Sequence, residues 1–282
     1  ITKGLGVTLH NAAGKQQQEL SRSNSVNTYT IENHADFVIR TGSKHETATD
    51  YHVFDGSNYV EIGKENSFQI KTDMINTSGK TINGSEIYIP IPKIGEAWGE
   101  LTGKFGEFDF SVELAAKATL SDNANTLLSS NPDMFKIYYG IGVNPTSQVS
   151  DLKNQEEKFI EKSKFDIRNL PNVNCVKIQL VDIAPQNADS DDEEAYIAAN
   201  TFSVFLNARI GESAEITNDQ KDAWQPLYYL NLGHETRYAY GEAVGILTKT
   251  GKVSGYIWED TNKNGIMDDS EAIAPSYTGW TV

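Results

Sequence analysis

Along most of this chain apolar and polar residues alternate with a period of two, the pattern of half-buried β-strands. Phe68, Ile70, Thr72 and Met74 share one face, with Gln69, Lys71 and Asp73 on the other. The same alternation runs through residues 87–91, 108–114 and 175–180, the first closed by Pro92. Clusters of β-branched and aromatic residues at 7–9, 28–31, 37–39, 135–139, 202–210, 227–232 and 238–247 predict further strands. Because an alternating strand with one apolar face must have that face covered, Phe68, Ile70, Ile87, Ile89, Phe108, Phe110, Val112, Val176, Ile178, Leu180, Val204 and Leu206 form the predicted core. Helical signal is confined to 122–130 and to one or two polar turns within 154–163. Turn residues recur at Asn76-Thr77-Ser78-Gly79, Asn83-Gly84, Gly103, Gly140 and Gly211. The acidic run at 187–194 and the three glutamines at 16–18 predict solvated loops. Short strands at this spacing, with few helices between them, predict an all-β, immunoglobulin-like sandwich rather than a parallel sheet with crossover helices.

A break in pattern falls near 248–252, where one aromatic-rich strand ends and Gly251 to Trp258 start another. The expected organisation is a β-sandwich over 1–250, with 1–50 as part of it or as a preceding element, and a second module beginning at 251. Residues 251–282 are too few to bury a core of their own. With Ile rather than Met at its start, the chain reads as a piece of a longer polypeptide.

Charge narrows the function classes. Of the 282 residues, 24 are Lys or Arg and 39 are Asp or Glu, giving a net charge of −15. That repels nucleic acid and anionic membrane surfaces at long range. No apolar run reaches the roughly 18–20 residues of a membrane span. A single cysteine, Cys175, excludes an internal disulfide framework and a multi-Cys zinc site. His10, His34, His45, His52 and His234 form no close-spaced metal pair. Neither a G-x-S-x-G elbow nor a phosphate loop is present, so the chain is expected not to be an enzyme. Trp98, Trp224, Tyr228, Tyr229, Tyr238 and Tyr240 read either as core and cross-strand aromatics or as a sugar-stacking platform. An internal Lys–Asn crosslink would need a buried Lys; Lys71 and Lys177 are expected on strands, facing away from the apolar side.

Residues 260–271 match the twelve-residue calcium loop at each diagnostic position. Asp260, Asn262 and Asn264 stand at positions one, three and five, where alternate side-chain oxygens converge on one centre. Gly265 stands at position six, where the chain turns sharply, and Ile266 offers its carbonyl at position seven. Asp268 at position nine ligates directly or through water, and Glu271 at position twelve closes the shell with two oxygens. The alternative is a metal-free turn in which the acids repel one another. The flanks are not helical: 253–258 reads as a strand, and Pro275 stops any long exiting helix.

The run from Gly255-Tyr256-Ile257-Trp258 through Asn264-Gly265-Ile266 resembles the opening of the B-type repeat domains of the serine-aspartate repeat adhesins, β-sandwich modules of Gram-positive cell-wall proteins. The resemblance covers about the last thirty residues and implies Ca²⁺ held by Asp260, Asn262, Asn264, the carbonyl of Ile266, Asp268 and Glu271. The region from Ser67 through Asn76 to Pro92 is similar in cadence to repeat domains of large bacterial surface proteins. Together these imply a non-catalytic segment of a secreted or wall-anchored adhesin, a calcium-stiffened stalk or ligand-presenting domain. Its partner would be a host or neighbouring-cell protein or glycan. The alternative is a carbohydrate-binding module of an extracellular multi-domain protein.

Overall fold

The computed structural model describes residues 5–10, 16–22, 37–63, 66–77, 81–98, 108–146, 148–184, 193–211, 220–231, 236–249 and 260–266. The chain divides into two compact units, 1–249 and 250–282. The first is an all-β, immunoglobulin-like sandwich. Its strands are β1 (Leu5–His10), β2 (Gln16–Arg22), β3 (Phe37–His45), β4 (Val60–Gly63), β5 (Ser67–Asn76), β6 (Ser85–Pro90), β7 (Val112–Leu114) and β8 (Thr119–Leu120). Then come β9 (Phe135–Ile141), β10 (Phe159–Glu161), β11 (Val173–Leu180), β12 (Thr201–Ile210), β13 (Gln220–Trp224), β14 (Leu227–Asn231), β15 (Thr236–Tyr240) and β16 (Val244–Lys249). Three short helices, α1 (Asp122–Ser130), α2 (Val149–Lys153) and α3 (Glu193–Ala199), lie between strands.

Two sheets make the sandwich. One runs β10-β9-β11-β6-β14-β15, antiparallel throughout. The other runs β3-β5-β12-β7, with β8 also pairing β12. A smaller sheet, β13-β16-β4, holds a parallel pair between β16 and β4, and β1 and β2 form a separate hairpin. The register puts Ile137, Ile178 and Ile87 abreast on one side of the first sheet. The apolar faces of β5 and β12 belong to the same continuous core. All twelve predicted core residues are 3% exposed or less. Covering a Leu- or Ile-sized side chain stabilises by about 1.5–3 kcal/mol.

The first sheet is covered on both sides at its centre, because every residue of β6 and all but Gln179 of β11 are buried. This corrects the expectation for Lys177: it faces away from the main core, yet only 1% of it is exposed. The segment that covers it runs from α2 through a 3₁₀ turn at Glu156–Lys158 into β10. Lys177 forms an ion pair with Glu156, and its ammonium lies 4.6 Å from the Tyr138 ring centre and 5.2 Å from that of Phe159. Lys153 reaches Glu86 at 3.4 Å, and Glu86 accepts the Tyr88 hydroxyl hydrogen bond at 2.9 Å. Lys71 pairs with Asp73 at 2.8 Å.

Other expectations shift for identifiable reasons. α1 forms as predicted, capped by the Ser121 hydroxyl, which accepts from the Ala124 N–H. Residues 154–163 yield only the 3₁₀ turn before turning into β10, because Phe159 is drawn into the buried face. The glutamines at 16–18 lie in β2 rather than a loop, paired with β1. Phe108 and Phe110 are buried but not in a strand, with Asp109 between them exposed; pairing begins at Val112. The run 238–247 divides into β15 and β16, which belong to different sheets. Gly241 makes the break possible, since the Tyr228 side chain fills the place a Cβ would take. In the acidic run, 187–192 lies outside the described residues and Glu193 begins α3. Residues 28–31 also lie outside them.

Truncating the shared face should therefore be costly. Ile178→Ala should lower unfolding free energy by about 2–5 kcal/mol, whereas Ile160→Ala, at a 40% exposed position, should change it by less than about 1 kcal/mol. Urea denaturation of both variants checks this.

Candidate functional site

The loop at 260–266 is wound around the carboxylate of Asp260. One oxygen accepts from the Asn264 N–H at 3.0 Å and the other from the Gly265 N–H at 2.9 Å. The Asn262 side-chain oxygen also accepts from the Asn264 N–H at 3.0 Å, and that of Asn264 accepts from the Ile266 N–H at 2.7 Å. Two left-handed residues make this winding possible, Lys263 at φ 61° and Gly265 at φ 75°. Only glycine adopts the second without steric cost. The side-chain oxygens at positions one, three and five are thus bonded within one short loop. Ile266 is 64% exposed. Of the other predicted ligands, Asp268 and Glu271 lie outside the described residues, as do Tyr256 and Trp258. Among the described residues no group of three or more His, Cys, Asp and Glu side chains is placed to hold a metal.

The aromatic set separates cleanly. Trp98, Trp224 and Tyr228 are core residues, 4% exposed or less. Tyr229 and Tyr238 are a directly opposed pair on β14 and β15, ring centres 5.5 Å apart. Tyr240 is opposite Leu227, two residues from Tyr229, and so shares that face. Tyr238 and Tyr240 are 61% and 42% exposed, and the Lys153 ammonium sits 3.6 Å from the Tyr229 ring centre. Three of the six candidate aromatics therefore lie together on the outer side of the first sheet, toward its β15 edge.

His45 bonds Thr47 at 2.8 Å and Asn66 at 2.9 Å, while His52 bridges the backbone of Ser43. His34 and His234 lie outside the described residues. Cys175 is fully buried in β11, and burial pushes its thiol well above the usual range, away from nucleophilic thiolate character.

Two polar constellations come from sequence-distant partners, so local pattern gives no sign of them. The Glu96 carboxylate accepts from the Trp98 indole N–H at 2.8 Å and from the Asn174 amide at 2.9 Å. Beside it, Lys93 donates to the carbonyls of Val112 and Pro171, and burial lowers its pKa to about 8. Asp222, on β13, accepts from the Asp109 N–H at 2.9 Å. Burial raises the Asp222 carboxyl to about 6, with the Asp109 charge adding to the effect and backbone N–H donors opposing it.

No family model matches the chain, and no curated protein matches it in sequence. Among the solved structures that resemble it loosely are an enzyme and two surface-protein domains. AvmM, which catalyses macrocyclisation in alchivemycin A biosynthesis, superposes with a TM-score of 0.25 and 8% identity, covering 79% of this chain and 93% of that one. The collagen-binding subdomain ACE19 of the Enterococcus faecalis surface protein ACE gives 0.22 and 10%, covering 76% and 96%. The collagen adhesin CNA of S. aureus gives 0.22 and 9%, covering 83% and 53%. Superpositions this loose transfer no ligand or chemistry.

The Asp222 carboxyl sets a pH dependence. Its folded pKa is raised above the unfolded value, so the folded state holds the proton more tightly; its contribution to stability is present at low pH and is lost as pH rises through about 6. Asp222→Asn, which keeps an oxygen for the Asp109 N–H, should melt higher than the wild type at neutral pH. The difference should vanish below about pH 4. Thermal melts across that range test it, and a constant difference would count against a raised Asp222.

Proposed function

We propose that this chain is a non-catalytic segment of an extracellular bacterial surface protein, wall-anchored or secreted, acting as a stalk or ligand-presenting domain. Residues 251–282 are, in this reading, the start of a B-type module whose loop takes up Ca²⁺. The observation that most supports it is the 260–266 winding, in which Asp260, Asn262 and Asn264 already share one turn around Gly265. Asp268, Glu271 and the Ile266 carbonyl would complete the shell at about 2.3–2.6 Å. The ion's role is structural: it neutralises the carboxylates and stiffens the 251–282 segment. Magnesium competes poorly, because a shell rich in protein oxygens with a bidentate Glu does not give it the compact octahedron it prefers. Extracellular Ca²⁺ at about 10⁻³ M would fill a site of modest affinity. The presented partner is a host or neighbouring-cell protein or glycan.

Binding to the folded form alone stabilises by about 2.7 kcal/mol at a hundredfold excess over Kd. Chelation should expose 251–282 to protease while the 1–249 unit keeps its melting transition. Asp260→Ala should reproduce that exposure in calcium. Limited proteolysis and calorimetry with and without EDTA read both effects; unchanged protection and unchanged calcium binding in Asp260→Ala would reject the site.

A second reading, carbohydrate binding, is favoured by the Tyr229, Tyr238 and Tyr240 surface, since tyrosine rings on one sheet face can stack against sugar rings. Tyr238→Ala and Tyr240→Ala should each abolish glycan-array binding without moving the melting temperature. A wild type that binds no glycan on the array ends this reading. Trp98→Ala and Trp224→Ala cannot serve as probes, because both would collapse core.

A further inference from the structure

Where the β9-β10 edge of the first sheet meets β8 and α1, the sandwich is open to a groove of about 600 Å³. Its apolar lining comes from Leu120, Leu128, Pro132, Phe135 and Ile137, so the groove reaches down to the core. At one side stand Lys117, before β8, and Lys162, after β10. The Lys117 ammonium donates to the Lys162 carbonyl at 2.9 Å, and the Lys162 ammonium donates to the Ala118 carbonyl at 2.6 Å. This reciprocal clasp holds two cations side by side. An ammonium has three donors, so each lysine has hydrogens beyond its carbonyl bond. Proximity of the two also lowers the Lys162 pKa, after burial, a penalty that an anion between them would relieve. Of the acids in the lining, Asp133 pairs with Lys136 at 3.0 Å, while Glu161 accepts from the Ser163 hydroxyl at 2.8 Å and keeps its charge. Nearby Asp166 pairs with Arg168 at 2.5 Å and also lies within reach of the Lys117 charge. In a chain of net charge −15, the lining carries three lysines against two acids.

We propose that this groove is a binding site for a small amphiphilic carboxylate, its apolar body lying on Leu120, Leu128 and Phe135 and its carboxylate bridging Lys117 and Lys162. The volume falls within the range of small-molecule sites, and the lining is mostly apolar with a few convergent polar groups, as such sites require. Charge complementarity selects the anion, and the apolar floor selects an organic one over phosphate or chloride. The site does not depend on the calcium loop or on the tyrosine surface.

Calorimetric titration of the full chain with decanoate tests it, with 1-decanol, inorganic phosphate and an acidic apolar peptide as comparisons. The expected result is saturable 1:1 decanoate binding, at least tenfold weaker for 1-decanol. It should also be at least tenfold weaker in Lys117→Gln and in Leu128→Glu. The second variant puts a negative charge in the groove without touching the clasp. Melting temperatures of both variants should match the wild type, so that lost binding reports the site and not the fold. Equal affinity for 1-decanol and decanoate, or decanoate affinity unchanged in Lys117→Gln, overturns the proposal. So does tighter binding of phosphate than of decanoate. Peptide binding with decanoate excluded would replace the small occupant with a protein segment and overturn it too.

Discussion

Two-sided burial of the central strands is the constraint from which most of this molecule follows. A strand covered on one face can send every second residue to water. Strands β6 and β11 cannot, because Ile87, Ile178 and their neighbours meet the second sheet while Tyr88, Cys175 and Lys177 are sealed beneath α2 and β10. The polar groups on that second face must then find partners within the protein, since an unpaired buried charge costs several kcal/mol. Glu156 does this for Lys177, and Tyr88 and Lys153 do it for Glu86. The lid over the first sheet is thus fixed by charge as well as by apolar contact, and β10 is held where it borders the groove.

The distribution of charge follows the same logic. Acids outnumber bases by fifteen, and several of the lysines are spent inside or at half-buried seams. Lys93 donates to two carbonyls, Lys177 lies among aromatic rings, and Lys117 and Lys162 clasp opposite loops. A lysine stem buries apolar length while its head satisfies carbonyls that no strand partner reaches. The exterior is left strongly acidic, which favours solubility.

Period-two alternation made the sandwich legible from sequence, and the twelve core positions with it, because a face that must be covered leaves a periodic trace. What escaped was whatever depends on a second cover. Lys177 has the spacing of an outward residue, and nothing within its own strand marks the segment twenty residues earlier that encloses it. Residues 238–247 read as one strand because hydrophobicity continues across Gly241, while at the switch between sheets the Tyr228 side chain, from another strand, occupies the place of a Cβ and so admits only glycine. The aromatic platform was half legible: composition identified six rings, but only pairing between β14 and β15 separates the exposed tyrosines from the core tryptophans. The turn at 260–266 is the opposite case, since its spacing is local and its winding follows from Asp, Asn and Gly at fixed positions.

The last strand of the 1–249 unit has a mechanical consequence. β16 is flanked on both sides, antiparallel to β13 from Val244 to Thr248 and parallel to β4 from Ile246 to Lys249. A pull applied at residue 250 therefore meets no free edge to peel. To extract β16 it must rupture two hydrogen-bonded ladders together and drag Val244 and Ile246, both fully buried, out of the interior. A domain that ends this way resists tension at its exit point, whatever it displays elsewhere on its surface.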